Sequence, residues 1–430
     1  MAEQSIATAS PLVKALVARN REPQWLQSFR EDAWQAYEKF PSPKLEKTDL
    51  RNRTWDVTAL SSEAVGKPRT EVAQFLEAAK DEPFLCLRDG AVVAVHVPAD
   101  LAEQGVILTD LNTAVQQHEE LVRKHLGTVV AAEADKWSAL NGALWENGIF
   151  VYVPRNVQVQ RPIQFVYEES PAGKGGRPRC LVVAEEGSRL AFAEISFVPE
   201  EGATGGIHSA VTEIVAQPLA HVDACALTNF RKGPTNFVTR RAKILNDARV
   251  DWVVGDIGDG FTVGLVESLL EGSASQSHTR VLGFGYGRQR LELTASMEHR
   301  GRSSESDIVM HGVVRGRANS VYRSSTHIQR GAADAASEQH DRMLLLNEKT
   351  RADAIPMLLI DENNVRRCGH AASVGKIDEV QVYYLMSRGI SKKQATKMIV
   401  WSYLAPTVDA IVVPAFREFV AARINKELEQ

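Results

Sequence analysis

The chain has 430 residues, 44% of them hydrophobic, and its 50 Lys+Arg against 54 Asp+Glu give a formal net charge of -4. That length calls for two or three domains unless an elongated repeat fold takes most of the chain, and near-neutral charge supplies no general pull toward nucleic acid or an anionic membrane. No apolar run is long enough to span a bilayer, and the start, MAEQSIATASPLVKALV, lacks the basic-then-apolar layout of a signal peptide, so a cytoplasmic protein is expected.

Residues 1–147 read as a mainly helical N-terminal region. Ser10-Pro11 is an N-cap and N1 pair ahead of Leu12, Leu16 and Val17. Trp25, Phe29, Ala33, Ala36, Tyr37 and Phe40 recur at helical spacing until Pro41 and Pro43. Two further apolar stripes follow, Leu111 to Leu126 closed by Gly127, and Trp137 to Leu144. Ahead of these two stripes, residues 83–98 suggest a hairpin around Asp89-Gly90. From residue 148 to about 365 the texture is short strands separated by Gly, Asn, Asp and Ser, with alternation clear at Val250, Trp252, Val254 and at Phe261, Val263, Leu265. The stretch 171–179 reads as a hairpin tip. Some two hundred residues of strands without a helical interlude fit a sandwich, a barrel or a β-solenoid, and no strict repeat selects among them. Helices return in residues 366–430: one from Ile377 to Ser387, one capped by Ser391 and ending before Pro406, and one after Pro414.

The four cysteines, Cys86, Cys180, Cys225 and Cys368, are scattered, with no CxxC. They make neither a disulfide scaffold nor a self-contained cluster or zinc site, so any cluster would need ligands from a second chain. Gly369 to Lys376 imitates a phosphate loop but has five residues between its glycines where four are needed, and Ile377 where Ser or Thr should stand. Gly283-Phe-Gly-Tyr-Gly287 lacks dinucleotide spacing and reads as turn glycines. In Cys368-Gly-His370 a thiol and an imidazole sit at i and i+2, on one side of an extended strand, and could face one metal or partner. A packed Cys and a hydrogen-bonded His are the plainer alternative. His278, His299, His311, His327 and His340 lack the short paired spacing of a standard metal site. Asp251, Asp256 and Asp259 are the carboxylates a β-helix carbohydrate-active enzyme could use, at turn-like Gly-Asp positions.

Residues 344–404, LLLNEKTRADAIPMLLIDENNVRRCGHAASVGKIDEVQVYYLMSRGISKKQATKMIVWSYL, resemble the Suf B/D family of iron–sulfur cluster assembly proteins. The matching features are a leucine triplet, a Pro–Leu–Ile strand, Cys-x-His, a GKID-like turn and YLxSRGI. A second match is LNGALWENGIFVYVPRNVQVQRPI, residues 140–163. The CxxCxxxC-like segment of longer B-type chains is absent, and Ala371 stands where they read Glu after the His, so the resemblance is to the D arm; a B-type paralogue is the alternative. Departures are His370-Ala371-Ala372-Ser373 for the usual His-Gly-Ala-Thr, and VYRSS (321–325) without the usual Gly after the aromatic. The resemblance implies a mainly β fold, a right-handed parallel β-helix core at 148–365 flanked by helical regions. It implies a non-enzymatic subunit of a SufBCD-type scaffold that pairs with a SufB-type subunit through the β-helices, forms a homodimer when isolated, and docks a SufC-type ATPase on its C-terminal helices. It further implies a transient iron–sulfur cluster shared with the B-type subunit, sulfur donor proteins acting indirectly, reduced flavin in the complex and no nucleotide on this chain. Of the family's functional residues it carries over His370; Cys368 joins it by proximity.

Overall fold

The structure is a computed structural model that describes residues 10–50, 57, 60, 68–169, 175–197, 206–229 and 234–429. The chain opens with α1 (Pro11–Asn20) and α2 (Gln24–Lys39), then α3 (Thr70–Ala78). The Ser10 side chain accepts from the Leu12 N–H and Pro11 fills the first helical position, as its sequence dictates. The hairpin expected at Asp89-Gly90 joins β1 (Phe84–Arg88) to β2 (Ala91–His96). Both turn residues take positive φ, 47° and 88°, which Asp tolerates and Gly adopts freely. Next come α4 (Ala99–Glu103), β3 (Ile107–Asp110), α5 (Leu111–Gln117), α6 (Glu119–His125) and α7 (Lys136–Leu144).

A parallel β-solenoid follows. Its strands are β4 (Gly148–Val153), β5 (Ile163–Glu168), β6 (Arg179–Ala184), β7 (Arg189–Phe197), β8 (Ile207–Ala216), β9 (His221–Asn229), β10 (Thr235–Ile244) and β11 (Arg249–Gly258). Then come β12 (Phe261–Leu270), β13 (Gln276–Gly285), β14 (Arg290–His299), β15 (Glu305–Val314), β16 (Asn319–Ile328), β17 (Ala336–Leu345), β18 (Arg351–Ile360) and β19 (Arg367–Lys376). Odd strands stack in one sheet, extended by β1 and β2; even strands stack in the other, ended by β3. We call them the odd and even sheets. β5 and β6 lie in different sheets and do not pair with one another, so they do not form the hairpin expected around 171–179; residues 170–174 of that stretch lie outside the described residues. The strands continue to Lys376, so Cys368 and His370 lie on the last one.

Alternate residues of both sheets meet in the solenoid's interior, where Val250, Trp252, Val281, Leu293 and Met310 are buried. The outer face of the even sheet is covered by α1, α2 and α7, with Trp137 stacked on Phe237 at 3.8 Å between ring centres. Buried ion pairs fasten this layer: Arg179–Glu213 at 2.6 Å and Arg177–Glu146 at 2.9 Å, Glu213 also accepting the Val129 and Val130 N–H groups. The outer face of the odd sheet is covered over the C-terminal halves of its strands by α9 (Lys392–Asp409) and α10 (Pro414–Glu429), which follow α8 (Glu379–Ser387). The Ser391–Gln394 capping box starts α9. That helix does not stop before Pro406 but runs through it. Pro406 and Ser402 are exposed, so water can serve the carbonyl that loses its donor, while Thr407 and Val408 are buried against the sheet.

Candidate functional site

The two ends of the solenoid are unlike. At the C-terminal end β18 and β19 are only partly covered, and β19 has no neighbour beyond it among the described residues. Parallel register places Cys368 over Ser337, His370 over Gln339 and Ala372 over Asp341. Ser337, Gln339 and Asp341 are fully buried and bond across the interior to the even sheet: Thr326 Oγ1 to Ser337 Oγ at 3.0 Å, Gln339 Nε2 to Thr326 Oγ1 at 2.7 Å, and Ser324 Oγ to Asp341 Oδ2 at 2.6 Å. Residues in register on adjacent strands share a face. Cys368 and His370 therefore point into the lumen, and His370 is exposed because no further turn lies on it.

The spacing argument that put Cys368 and His370 on one side of a strand holds, and the side is the inner one. Cys368 is half-buried against Ile328, Ala332, Ala335 and Val365. Burial raises its thiol pKa and Glu338 adds to the rise, so the thiolate needed for ligation is not favoured by this chain's own groups. Beneath them, burial pushes Asp341 up to about 6, opposed by Ser324, His340 and His370, and Asp341 Oδ1 has no hydrogen bond. The polar floor of Ser324, Gln339 and Asp341 was not singled out in the sequence. Its only signal is a polar residue at every second position where a strand would bury apolar ones.

The other candidates separate. Cys86, Cys180 and Cys225 are buried; burial pushes Cys86 and Cys225 up to about 12 and Cys180 upward. The Gly369–Lys376 segment lies within β19 and forms no phosphate-cradling loop. Gly283 and Gly285 belong to β13, and only Gly287 of that group sits in a turn with positive φ, 61°. Asp251 and Asp256 are mid-strand on β11, not at turns, and face opposite sides: Asp251 bonds His278 outside, whereas Asp256 is buried within and held by Gln289 at 2.8 Å. They cannot act together on one glycosidic bond. His299 is buried between Ser304 and Ser306, and burial lowers its pKa to about 4. His311 bonds Thr407 of α9 at 2.9 Å and His327 bonds Asp361 at 2.9 Å. His340 lies on the exposed outer face of β17.

A second surface stands out on the C-terminal helices. Val380, Tyr383, Tyr384 and Met386 of α8 and Met398 of α9 are exposed, next to a groove lined by Ile390, Met398 and Trp401. Contiguous exposed apolar groups mark interaction surfaces. No helix among the described residues is long and apolar enough to cross a membrane.

Residues 166–403 match the family described as "SUF system FeS cluster assembly, SufBD core domain", and residues 82–165 match "SufBD protein N-terminal region". The chain is 32% identical over 428 residues to the iron-sulfur cluster assembly protein SufD of Bacillus subtilis, covering 97% of each chain. It is 30% identical over 411 residues to an iron-sulfur cluster assembly SufBD family protein of Staphylococcus epidermidis, covering 92% of this chain and 88% of that one.

Proposed function

This chain belongs to the SufB/SufD family of iron–sulfur cluster assembly proteins, on its SufD side, and from that premise we propose that it is the non-catalytic D-type subunit of a scaffold on which a cluster is built between chains. The observation that carries this reading is the open last turn, with Cys368 and His370 aimed into the lumen at its mouth. A thiol and an imidazole are two donors, and a cluster or a closed metal site needs more. A B-type subunit seated end to end on β18 and β19 supplies the remainder and pairs the free edge of β19. In its absence a second copy of this chain can take the same place, giving a homodimer. His370 is the principal contributor: it is exposed and unencumbered by apolar packing, whereas Cys368 also serves the small core under the last turn.

The apolar surface of α8 and α9 is the docking face for an ATPase subunit in this reading, so ATP hydrolysis belongs to that partner. Sulfur reaches the site by way of the B-type subunit. The test is reconstitution of the purified complex with iron and sulfide, followed by visible absorbance. His370→Ala should leave the complex assembled and lower the cluster yield several-fold, and Cys368→Ala should lower it less. Full cluster formation on a His370→Ala complex would make His370 structural and move the site wholly onto the partner.

A further inference from the structure

A separate constellation lies on the outer face of the odd sheet, where the N-terminal halves of the strands are left open by α9 and α10. His221 and Asp223 are i and i+2 on β9 and so share that face. Asp251 is in register with Asp223, His278 with Asp251, and Asp307 with His278. The solenoid thus stacks carboxylates and imidazoles on successive rungs about 4.8 Å apart. His221 Nε2 lies 3.4 Å from Asp223 Oδ1 and 4.0 Å from Asp251 Oδ2, and one ligand atom from each of the three lies within 4.8 Å of the others. His278 holds Asp251 from the far side, Nδ1 to Oδ1 at 2.9 Å, and its Nε2 is 3.5 Å from Asp307.

Two features separate this group from an ordinary surface ion-pair ladder. Asp223 and Asp251 are like charges directly opposite on adjacent strands, an arrangement that destabilises a sheet unless a cation lies between them. And His221 Nε2, directed at both carboxylates, is shielded from solvent yet makes no hydrogen bond. The present counter-ions are guanidinium groups at the rim: Arg249 at 2.6 Å from Asp251 and Arg189 at 3.6 Å from Asp223, with side chains 40% and 56% exposed. Exposed pairs of this kind hold weakly and can swing away.

We propose that His221, Asp223 and Asp251 form a binding site for one divalent first-row transition ion, with His278 a positioning residue that orients Asp251. One imidazole and two carboxylates suit Fe(II), Mn(II), Co(II) or Zn(II) and lack the thiolates that a cluster requires. Three protein ligands leave the remaining positions to water, so the ion exchanges readily and is not a structural ion. The site stands four rungs, roughly 19 Å, from β19. It is independent of the cluster reading, and either can fail without the other.

The full-length chain, purified with chelator, is titrated with Mn(II) at neutral pH and physiological ionic strength, and free Mn(II) is followed by its EPR signal. One equivalent should bind, and Fe(II) added without oxygen should displace it. Asp223→Asn, a near-isosteric change, and His221→Ala should each weaken binding by at least about tenfold, and His278→Gln by a smaller factor. Arg249→Gln, which removes the competing cation, should tighten it. His370→Ala and Cys368→Ala should leave it unchanged. Absence of a stoichiometric site in wild type, or equal binding by Asp223→Asn with no gain from Arg249→Gln, would overturn the proposal.

Discussion

The solenoid closes one end of itself and leaves the other open. At the N-terminal end the first turn, β4 and β5, is almost wholly buried. The antiparallel strands β2 and β3 terminate the two sheets there, and Leu101, Val106 and Leu108 plug the interior. At the C-terminal end Met357, Leu359, Ile360 and Val374 are each between 44% and 48% exposed. Repeat folds need a polar cap on a terminal repeat or a neighbour against it. The N-terminal end has its cap within the chain. Among the described residues the C-terminal end has none, and its half-exposed apolar residues suit the neighbour proposed above.

The largest expected effect sharpens that contrast. Val151→Asp in β4 buries an unpaired charge in the capped end and should cost more than about 4 kcal/mol in urea unfolding. Val374→Asp in β19 should stay within about 0.5 kcal/mol of wild type yet abolish end-to-end association, read as the loss of dimer on sizing with light scattering. Equal destabilisation by the two would mean that the ends are energetically alike.

A second measurement probes the interior between the ends. Burial pushes Asp256, in mid-solenoid, up to about 7, against about 6 for Asp341 one rung from the mouth. A carboxyl whose folded pKa is raised binds its proton more tightly in the native chain. Stability from this group is then greatest below the unfolded value near 4, falls as pH rises from about 4 to about 7, and stays low above. Asp256→Asn should remove that fall and leave the variant roughly 2 kcal/mol more stable than wild type at pH 8, with little difference at pH 4. Asp341→Asn should flatten the curve over a narrower range, ending near pH 6. Denaturant midpoints at pH 4, 6 and 8 decide it, and an unchanged slope in Asp256→Asn would show that water reaches mid-solenoid as freely as the mouth.

The smallest effect concerns α8. Tyr383 is 72% exposed, so Tyr383→Ala should alter stability by less than about 0.5 kcal/mol while weakening retention of the ATPase in co-purification. Retention equal to wild type would move the docking face elsewhere.

Much of this was written in the sequence in local form. The Ser10 and Ser391 caps, the Asp89-Gly90 hairpin and the shared side of Cys368 and His370 each follow from a few neighbouring residues. The solenoid repeat was hidden because, even where every strand is ten residues long, from β10 to β19, the turns between them vary. The step between stacked residues is 26 from Thr235 to Phe261, 29 from Phe261 to Arg290 and 32 from Asn319 to Arg351. Without that step, Asp251 and His278 are unrelated residues 27 positions apart. The polar floor at the mouth was illegible for another reason: Ser324, Ser337, Gln339 and Asp341 face inward, where the alternation rule expects apolar side chains. Pro406 misled because exposure of Ser402 and Pro406 lets a helix absorb one missing donor.

Tyr322 sits across the middle of the lumen. Its ring occupies room left by two glycines, since a Cβ on Gly283 would fall 2.0 Å from its hydroxyl and one on Gly312 2.7 Å from its ring. Tyr322 is completely buried, with Met310, Met343 and Leu293 in the same core. The interior is a stoppered bore, not a conduit. In the reading proposed above, iron and sulfide reach Cys368 and His370 by the mouth, since the described residues fill the bore behind it, and whatever sits on the mouth also governs that traffic.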